Sequence, residues 1–394
     1  MSETRNKRRV AVLMESTRAY SRAVIRGIGQ YNRQRGQWVI EYTPRGQSDP
    51  PPVWLKHWEG DGILARINDA RLLDAIRDKG LPTIDLRRIL ENPDIPQFGP
   101  NDRMIAQLLF DHFRQRGFYS FAFLGYRDTI HLPMMHRRLQ AVQELVQEAG
   151  MPLSVLKVGT NQNRDRFDAA VLLRLRMWLE QLPSQTAIIA CNDDMAFYVL
   201  RECRQAGIAV PEQLAVAGIG NDECFCSLCN PTLTSVDLNA ETVGFEAAAT
   251  LEKMMDDSQY RPDQFALIPP RGIVTRQSTD VIATADERVA RAVCFIREQA
   301  STGITPRDVL RHVRLSRVAL ENRFKQTLGR TIHQEIIRVR IDRVRELLTT
   351  SELSFKEIAH ETGFAYAEYM MRVFRNETGQ TLKNYRRDNK KFGS

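Results

Sequence analysis

Residues 354–364 read Ser-Phe-Lys-Glu-Ile-Ala-His-Glu-Thr-Gly-Phe, and this stretch decides the fold of the C-terminal part of the chain. Ser354 and Glu357 have the spacing of a capping box, in which each side chain accepts a hydrogen bond from the other residue's backbone amide at a helix start. Gly363 can adopt the left-handed conformation that ends such a helix. We expect a second helix from Ala365 to Glu377, so the stretch predicts a helix-turn-helix unit.

The same pattern occurs a second time, closer to the middle of the chain. Thr305-Pro306 begins a helix, Ser316 caps a second one, and Leu320 and Phe324 lie at i and i+4 within it. This apolar pair is offset by 50 positions from Met370 and Phe374. A long helix from Thr331 to Thr349 is expected to join the two units. The duplication predicts two tandem helix-turn-helix units; the alternative is an ordinary helical bundle with no role in DNA binding.

Residues 286–387 resemble the DNA-binding domain of the AraC family of transcription regulators. The residues that carry the resemblance are Gly363-Phe364, Tyr369, Arg372, Phe374, Gly379 and Tyr385-Arg386. One departure is Arg314, which stands where the first turn of that family usually carries glycine. A left-handed arginine costs roughly 1 kcal/mol, so we expect a distorted turn there.

The resemblance implies that the second helix of each unit reads DNA. Base contacts are expected from Val318, Glu321 and Asn322 in the first unit, because such side chains can bond base edges or touch a thymine methyl group. Phosphate contacts, which position the protein without specifying a sequence, are expected from Lys356 and others. The complete set of expected DNA-binding residues, Lys356 aside, is Ser316, Arg317, Val318, Glu321, Asn322, Lys325, Ala367, Glu368, Met371, Arg372 and Arg375. The alternative for any one of them is a solvated charged face.

The distribution of charge supports a nucleic-acid-binding module at the C-terminus. The chain has 394 residues and a formal net charge of +8. Residues 286–394 contain 22 Lys and Arg against 14 Asp and Glu, so this segment alone accounts for the whole excess. A basic module attached to a neutral one is typical of proteins that bind DNA.

Residues 9–280 alternate short apolar runs with helical patterns, which predicts parallel sheets. The expected strands are Val10–Met14, Trp38–Tyr42, Gly62–Ile67, Thr83–Leu86, Phe121–Leu124, Val155–Val158, Ala187–Ala190 and Leu214–Ile219. Two such series predict an α/β domain of two lobes with a cleft between them. Ligands of such sheets lie beyond the carboxyl ends of the strands.

The same region resembles the effector domain of the LacI family, which is similar to periplasmic sugar-binding proteins. Arg138-Leu139, Asn192-Asp193 and Gly218-Ile219-Gly220-Asn221-Asp222 carry the resemblance. Gly220 departs from it, because that family has an aspartate there, so we expect a hydroxyl contact either to be lost or to be taken over by Asn221. A LacI-like domain before an AraC-like tail resembles the regulators of bacterial xylose operons, which implies D-xylose as the effector. The alternatives are a repressor for another pentose or hexose and a plain sugar-binding protein.

A sugar site needs carboxylates, amides and an arginine that bond paired hydroxyl groups, together with an aromatic face. The strand and helix ends supply Arg138, Asn192 and Asp193 as the first candidates. The further expected ligand-binding residues are Asp85, Glu15, Tyr20 and Asn221. Each of these side chains has a structural alternative as a helix cap or an ion-pair partner, and Trp38, like Tyr20, can stack on a sugar ring or pack in the core.

No catalytic motif, metal site or cofactor is expected. The chain has no glycine-rich phosphate loop, no His-Glu-x-x-His and no nucleophile elbow. Cys224, Cys226 and Cys229 lack the fourth ligand of a zinc site, so thiols are the preferred interpretation and a metal the alternative.

The sequence therefore predicts a two-lobed effector domain at 9–280, a linker at 281–285 within a polar Gln277–Ala285 segment, and an all-α DNA-binding domain at 286–390. The expected partners are operator DNA, a small sugar, RNA polymerase and a second copy of the chain. The apolar run Val10–Met14 is too short for a signal peptide or a membrane span, so we expect a cytoplasmic protein.

Overall fold

A computed structural model describes residues 7–36, 38–46, 49–90, 94–127, 132–159, 168–280 and 286–389. The chain divides into two compact units. The first ends at Asp280 and lacks only the segment Ala209–Leu214, which groups with the second, C-terminal unit. The expected linker at 281–285 lies outside the described residues.

The first unit contains two six-stranded sheets, each covered by helices. Sheet A has the order β11-β5-β4-β3-β1-β2, with pairs that are all parallel. Its strands are β1 Arg9–Leu13, β2 Val39–Tyr42, β3 Gly62–Ala65, β4 Thr83–Asp85, β5 Gln97–Pro100 and β11 Phe265–Ile268. It forms lobe 1 with helices α1 Ala19–Tyr31, α2 Ala70–Arg77 and α8 Ala240–Asp256, and α1 is followed by a π-helical turn, Asn32–Gly36.

Sheet B has the order β12-β10-β9-β8-β6-β7 and forms lobe 2. Its strands are β6 Ser120–Tyr126, β7 Leu153–Val158, β8 Thr186–Ala190, β9 Leu214–Ile219, β10 Thr234–Asp237 and β12 Gly272–Val274, of which β12 pairs antiparallel with β10. The helices are α3 Asp102–Gln115, α4 Leu132–Glu148, α5 Ala169–Gln181, α6 Asp193–Gln205 and α7 Glu223–Leu228.

The chain crosses between the lobes three times, near 101, 239 and 270. The eight expected strands are all present with small shifts at their ends, and the two-lobed α/β fold is confirmed. The sequence did not predict that the chain returns to lobe 1 after the strands of lobe 2. After β10 the chain returns to lobe 1 through α8 and β11 and then enters lobe 2 again as β12.

Lobe 1 is held together by an unusually close approach of two helices. A Cβ atom added at Gly27 of α1 would lie 1.9 Å from the carbonyl oxygen of Glu241, and one added at Gly244 of α8 would lie 2.0 Å from that of Val24. Only glycine permits this backbone-to-backbone contact. The apolar cluster around it includes Ile28, Val243 and the fully buried Val24.

From 286 to 389, the second unit consists of helices and the turns that connect them. Its helices are α9 Glu287–Gln299, α10 Pro306–Val313, α11 Arg317–Leu328, α12 Ile332–Thr350, α13 Phe355–Glu361, α14 Ala367–Thr378 and α15 Leu382–Asn389. The capping box at Ser354 is confirmed, since its backbone amide donates to Glu357 Oε2 at 2.7 Å and its hydroxyl accepts from the Glu357 amide at 3.3 Å. Helix α14 begins at Ala367 rather than Ala365, because Tyr366 is extended and precedes the first turn.

The repeated apolar pairs are confirmed as the cores of the two helix-turn-helix units. Leu320, Phe324, Met370 and Phe374 are each fully buried. Arg314 adopts the left-handed conformation, with φ 56° and ψ 47°, so the turn keeps its regular geometry and the expected distortion was wrong.

The polar segment before the expected linker belongs to the first unit. Gln277–Thr279 forms a 3-10 turn in which Ser278 and Thr279 are fully buried. The Ser278 hydroxyl donates to the Val216 carbonyl oxygen, 2.6 Å away. Residues 277–280 are therefore not linker. Within the described ranges, no helix combines the length and apolar character needed to cross a membrane.

Candidate effector cleft and DNA-binding surface

Residues that follow the strands of both lobes meet at one cleft, which we call the interlobe cleft. Its empty volume is about 970 Å³, a figure that includes space open to solvent. Its polar lining consists of Arg18, Tyr20, Arg66, Arg87, Arg88, Asp102, Arg137, Arg138, Asn192, Asp193, Asp194 and Asp222. The lining is therefore rich in guanidinium groups.

Arg138 on α4 is held in place at the cleft by two acceptors. Its Nε donates to Asp102 Oδ1 at 3.1 Å, and its Nη1 donates to the carbonyl oxygen of Cys191. Arg137 donates from Nε to the other Asp102 oxygen, also at 3.1 Å. The Asp102 carboxylate in the first turn of α3 thus accepts from two guanidinium groups and fixes Arg138, which is only 3% exposed.

Asn192 and Asp193 lie where β8 passes into α6. Asn192 caps the helix, accepting from the Met195 amide at 2.9 Å, and its Nδ2 donates to the hydroxyl of Tyr126 at 3.1 Å. Asp193 is buried, and its two oxygens accept from the Ser235 hydroxyl at 2.5 Å and the Asp222 amide at 2.7 Å. Burial raises the pKa of the Asp193 carboxyl to about 6.

Two glycines make room for the Asp193 carboxylate. A Cβ atom at Gly218 would lie 2.2 Å from Asp193 Oδ1, and one at Gly220 would lie 3.0 Å from Oδ2. Gly220 also has φ +140°, which L side chains rarely adopt. A larger residue at either position would crowd the Asp193 carboxylate, and at Gly220 it would also strain the backbone.

On the lobe 1 side, Glu15 holds two arginines at the cleft. Arg66 Nη1 donates to Glu15 Oε1 and contacts the hydroxyl of Ser21, while Arg87 Nη1 lies 3.7 Å from the same carboxylate oxygen. The guanidinium of Arg66 lies over the ring of Tyr20, 5.3 Å from its centroid. Burial, followed by the charge of Arg66, lowers the pKa of Arg87 to about 9.

Asp85 at the end of β4 organises the turn that carries Arg87 and Arg88. Its carboxylate accepts from the backbone amides of Arg87 at 2.8 Å, Arg88 at 3.2 Å and Ile67 at 3.2 Å. Arg88 is thereby held at φ 56°, a left-handed conformation that is strained for arginine. Burial raises the pKa of Asp85 to about 6.

The expected ligand residues therefore separate into two groups. Arg138, Asn192, Asp193 and Tyr20 line the interlobe cleft. The other three, Asp85, Glu15 and Asn221, are not among its lining residues, because their side chains support neighbouring groups.

Asn221 accepts from Arg276 Nη2 at 2.8 Å and lines a neighbouring depression. Trp38 packs 5.5 Å from the ring of Tyr31 in the lobe 1 core, so it is not available for stacking on a ligand. Sequence reasoning missed Arg66, Arg87 and Arg88. Arg87 and Arg88 follow the predicted strand Thr83–Leu86, so the rule that selected Asn192 after β8 would have selected them. Arg66 follows the observed strand β3 but lies inside the longer predicted strand Gly62–Ile67.

In the second unit, α11 and α14 expose most of the residues expected to read DNA. Ser316, Arg317, Val318, Asn322, Lys325, Glu368, Met371, Arg372 and Arg375 are exposed, and Ala367 is half-buried. Arg372 lies over the ring of Tyr369, 5.4 Å from its centroid. Glu321 is half-buried and accepts from the Ile332 amide at 3.3 Å, so its carboxylate is engaged within the fold. Tyr366, 71% exposed just before α14, was not anticipated.

The cysteine cluster is split by burial. Cys224 is exposed, whereas Cys226 and Cys229 are buried, and burial raises the pKa of Cys229 to about 12. In the part of the chain that the structure describes, no group of three or more His, Cys, Asp or Glu side chains is placed to hold a metal ion.

A two-lobed unit with a polar cleft, joined to tandem helix-turn-helix units, defines a DNA-binding transcription regulator with an effector domain. Three family models match the chain. Residues 9–97 match the XylR N-terminal domain, and residues 110–279 match the periplasmic binding protein-like domain. Residues 309–388 match the helix-turn-helix domain. The chain is 32% identical over 387 residues to the xylose operon regulatory protein of Escherichia coli K12, covering 96% of this chain and 97% of that one.

Two further comparisons agree with this assignment. The xylose operon regulatory protein of Haemophilus influenzae is 30% identical over 96% of this chain and 98% of its own length. A solved structure of a xylose-binding transcription activator superposes with a TM-score of 0.84 at 30% identity, covering 98% of this chain and all of that one. The chain belongs to the family of xylose operon regulatory proteins.

Proposed function

We propose that this protein is a transcription activator that binds operator DNA through α11 and α14 and responds to a small sugar, with D-xylose as the first candidate. The observation that carries the proposal is the interlobe cleft, where Arg138 is fixed by Asp102 at the ends of the strands. The names of the relatives, which are regulators of xylose operons, support D-xylose.

The mechanism rests on a ligand that favours one arrangement of the two lobes. Lobes 1 and 2 are connected by three chain crossings, so a ligand bound between them can shift their relative position. Such a ligand acts only through its differential affinity for the two arrangements, and a coupling of about 1–3 kcal/mol is typical. We infer that the segment at 281–285 transmits the change to the DNA-binding unit.

The DNA-binding unit is proposed to read two successive major grooves. Helix α12 has 19 residues, which corresponds to roughly 28 Å. This length suits two reading helices placed about one turn of DNA apart, on the order of 34 Å. The expected base contacts come from Val318, Asn322 and Arg372, and Lys325 and Arg375 are assigned to phosphates.

The proposal includes partners that follow from the regulator class. We infer that the protein acts in the cytoplasm as a homodimer, that it contacts RNA polymerase, and that it has no catalytic activity of its own. A symmetric dimer fits the half-site symmetry of most operators.

The test measures operator binding by the full-length chain with and without sugar. DNA selected from a random pool is titrated in gel shifts with no sugar, with D-xylose and with other pentoses and hexoses. We expect the sugar to change operator affinity roughly 5- to 150-fold. Arg138→Ala should bind the DNA but lose the response. The proposal would be contradicted if no sugar changed either the affinity of the protein for the operator or its footprint on the DNA.

A further inference from the structure

Tyr366, the residue immediately before α14, differs in its role from its counterpart in the first helix-turn-helix. The two helix-turn-helix units repeat with an offset of 50 positions, so Tyr366 corresponds to Ser316 before α11. Ser316 caps its helix, because its hydroxyl accepts from the Ala319 amide at 3.3 Å. Tyr366 makes no side-chain cap, although serine, threonine, asparagine and aspartate are preferred at this position for that purpose. The second helix-turn-helix therefore lacks a stabilising contact where it carries tyrosine.

The Tyr366 side chain also adds nothing to the core of the DNA-binding unit. It is 71% exposed. Within the ranges that the structure describes, neither its hydroxyl nor its ring takes part in a hydrogen bond, an aromatic pair or a cation–π contact. Tyr369, one turn later, is different, since its ring lies 6.0 Å from that of Phe364. A ring left in water gains no free energy from burial, so packing within the unit does not account for Tyr366.

Exposed apolar side chains of this unit occur on the surface that is expected to face DNA. Among the described side chains of residues 286–389, the large hydrophobic ones that are exposed are Val318 on α11, Met371 on α14 and Tyr366. Val318 and Met371 are both expected to contact DNA. Exposed apolar groups that concentrate on one functional surface mark a contact with a partner. The partner that fits is DNA, because residues 286–394 carry the whole positive excess of the chain.

We propose that Tyr366 is a specificity-determining residue of the DNA-binding unit and that its ring contacts the C5 methyl group of a thymine in the operator. The inference rests on the proposed function and adds one base contact to it. In helix-turn-helix proteins the N-terminal residues of the second helix contact base edges, and Tyr366 lies at that end of α14. The thymine methyl is the apolar group that base edges present in the major groove, so an apolar contact distinguishes thymine from the other bases.

The experiment removes the methyl group and the ring separately, with the full-length protein. Operator DNA selected from a random pool is prepared with deoxyuridine in place of each thymine in turn, which deletes only the C5 methyl group. Binding titrations of the natural chain should show roughly 3- to 10-fold weaker binding for the replacement at one position. Tyr366→Ser should bind the unchanged operator more weakly by a similar factor and lose the dependence on that methyl group. Tyr366→Phe keeps the ring, so it should keep the dependence.

Thermal unfolding separates a base contact from a structural role. Serine can cap α14 as Ser316 caps α11, so Tyr366→Ser should melt at no lower temperature than the natural chain while binding the operator more weakly. A melting temperature that falls together with the affinity would show that the ring supports the fold, and the proposal would be overturned. Tyr119→Ser is the matched control, because Tyr119 of the effector domain is 61% exposed. This variant should change neither the operator affinity nor its dependence on the methyl group.

The outcomes separate this inference from the proposed function. If Tyr366→Ser weakens binding to operator and random DNA alike, or leaves the deoxyuridine effects unchanged, Tyr366 does not read a thymine. If Tyr366→Phe loses as much affinity as Tyr366→Ser, the hydroxyl makes the contact and the thymine contact of the ring is overturned. In each of these cases the sugar-responsive regulator stands. If the protein prefers no DNA sequence at all, the inference and the proposed function both fail.

Discussion

Arg137 of α4 donates from Nη1 to the carbonyl oxygen of Arg88, 3.1 Å away, and so joins lobe 2 to lobe 1 beside the cleft. A second contact crosses the cleft where Arg18, which precedes α1, forms an ion pair with Asp194 in the first turn of α6. Both contacts favour an arrangement in which the lobes are close together. Ligand binding and lobe closure are then linked through the same residues.

Loss of the second contact should weaken effector binding. Asp194→Asn removes a partly buried charge pair, for which about 1 kcal/mol, or roughly 5-fold in affinity, is a reasonable expectation. The reference is Glu144→Gln, which removes a more exposed ion pair with Arg103 on the lobe 2 surface. Calorimetry with the effector should show weaker binding for the first variant only. Equal affinities for both variants would remove the Arg18 pair from the closure mechanism.

The helix contact at Gly27 should be intolerant of the smallest side chain. In Gly27→Ala the added methyl group meets the Glu241 carbonyl oxygen at 1.9 Å, so α1 and α8 must separate. We expect a loss of roughly 1–3 kcal/mol in the free energy of unfolding, as for an overpacked core. Gly29→Ala on the same helix, where the nearest atom is the end of Arg33 at 3.4 Å, should be neutral or stabilising. Equal urea midpoints for the two variants would contradict this interpretation.

The left-handed Arg314 should be a site where glycine stabilises the protein. Arg314→Gly removes the steric cost of φ 56°, for which roughly 1 kcal/mol is expected. Arg314→Ala keeps the Cβ atom and with it the strain, so it should change stability much less. Thermal unfolding of the three proteins measures the difference. A glycine variant no more stable than the alanine variant would show that the turn is not strained.

His112 should make the first unit sensitive to acid. Its ring lies 2.7 Å from Thr279 Oγ1, and burial, followed by the nearby Arg116, lowers its pKa from 6.5 to about 3. Below pH 6.5 the His112 ring binds a proton in the unfolded chain but stays neutral in the folded protein. Its contribution to the free energy of unfolding is therefore lost as the pH falls toward 3, and the loss has reached about 2 kcal/mol at pH 5.

The comparison with His112→Gln isolates this effect. Glutamine does not titrate, whereas Asp85 and Asp193, whose pKa values are raised to about 6, act in the opposite direction in both proteins. Urea unfolding at pH 7.5 and pH 5 should show a larger loss for the natural chain than for the variant. Equal losses of unfolding free energy in the two proteins would mean that His112 binds its proton as readily in the folded state as in the unfolded state.

Arg372 should determine sequence preference on DNA. Its exposed guanidinium on α14 is free to bond a guanine edge, so Arg372→Ala should cost about 1–3 kcal/mol at one operator position. Lys325→Ala should instead weaken all DNA alike and reduce the salt slope by about one. Binding titrations against operator and random DNA separate the two roles. An equal loss on both DNAs for Arg372→Ala would make it a phosphate contact.

Local patterns were sufficient for most of this fold because most elements are defined by their own residues. The helix at Ser354 follows from its cap, and the strand at 214–219 follows from a continuous apolar run. Four strands were missed. Strands β11 and β12 are short and largely uncovered, with side chains such as Phe265 exposed by 54%, whereas β5 and β10 are buried but only four residues long.

The site was harder to predict, since a carboxylate at a strand end can accept hydrogen bonds either from a ligand or from backbone amides. Asp85 shows the second case: three backbone amides converge on it, and no sequence pattern states where those amides lie. Arg87 and Arg88 follow β4, so the strand-end rule could have found them, but their place in the lining of the cleft depends on the folded structure.

The three crossings between the lobes determine which pieces of this protein evolution can exchange. Lobe 1 needs α8 and β11, which are translated after nearly all of lobe 2, so neither lobe exists as a continuous gene segment. A recombination event inside 9–280 would separate strands of one sheet into different ancestors. A joint after Asp280 leaves lobes 1 and 2 whole and divides the second unit only at the segment Ala209–Leu214. We therefore expect the effector domain to be inherited as one block, and any replacement of the C-terminal segment must also fit Ala209–Leu214.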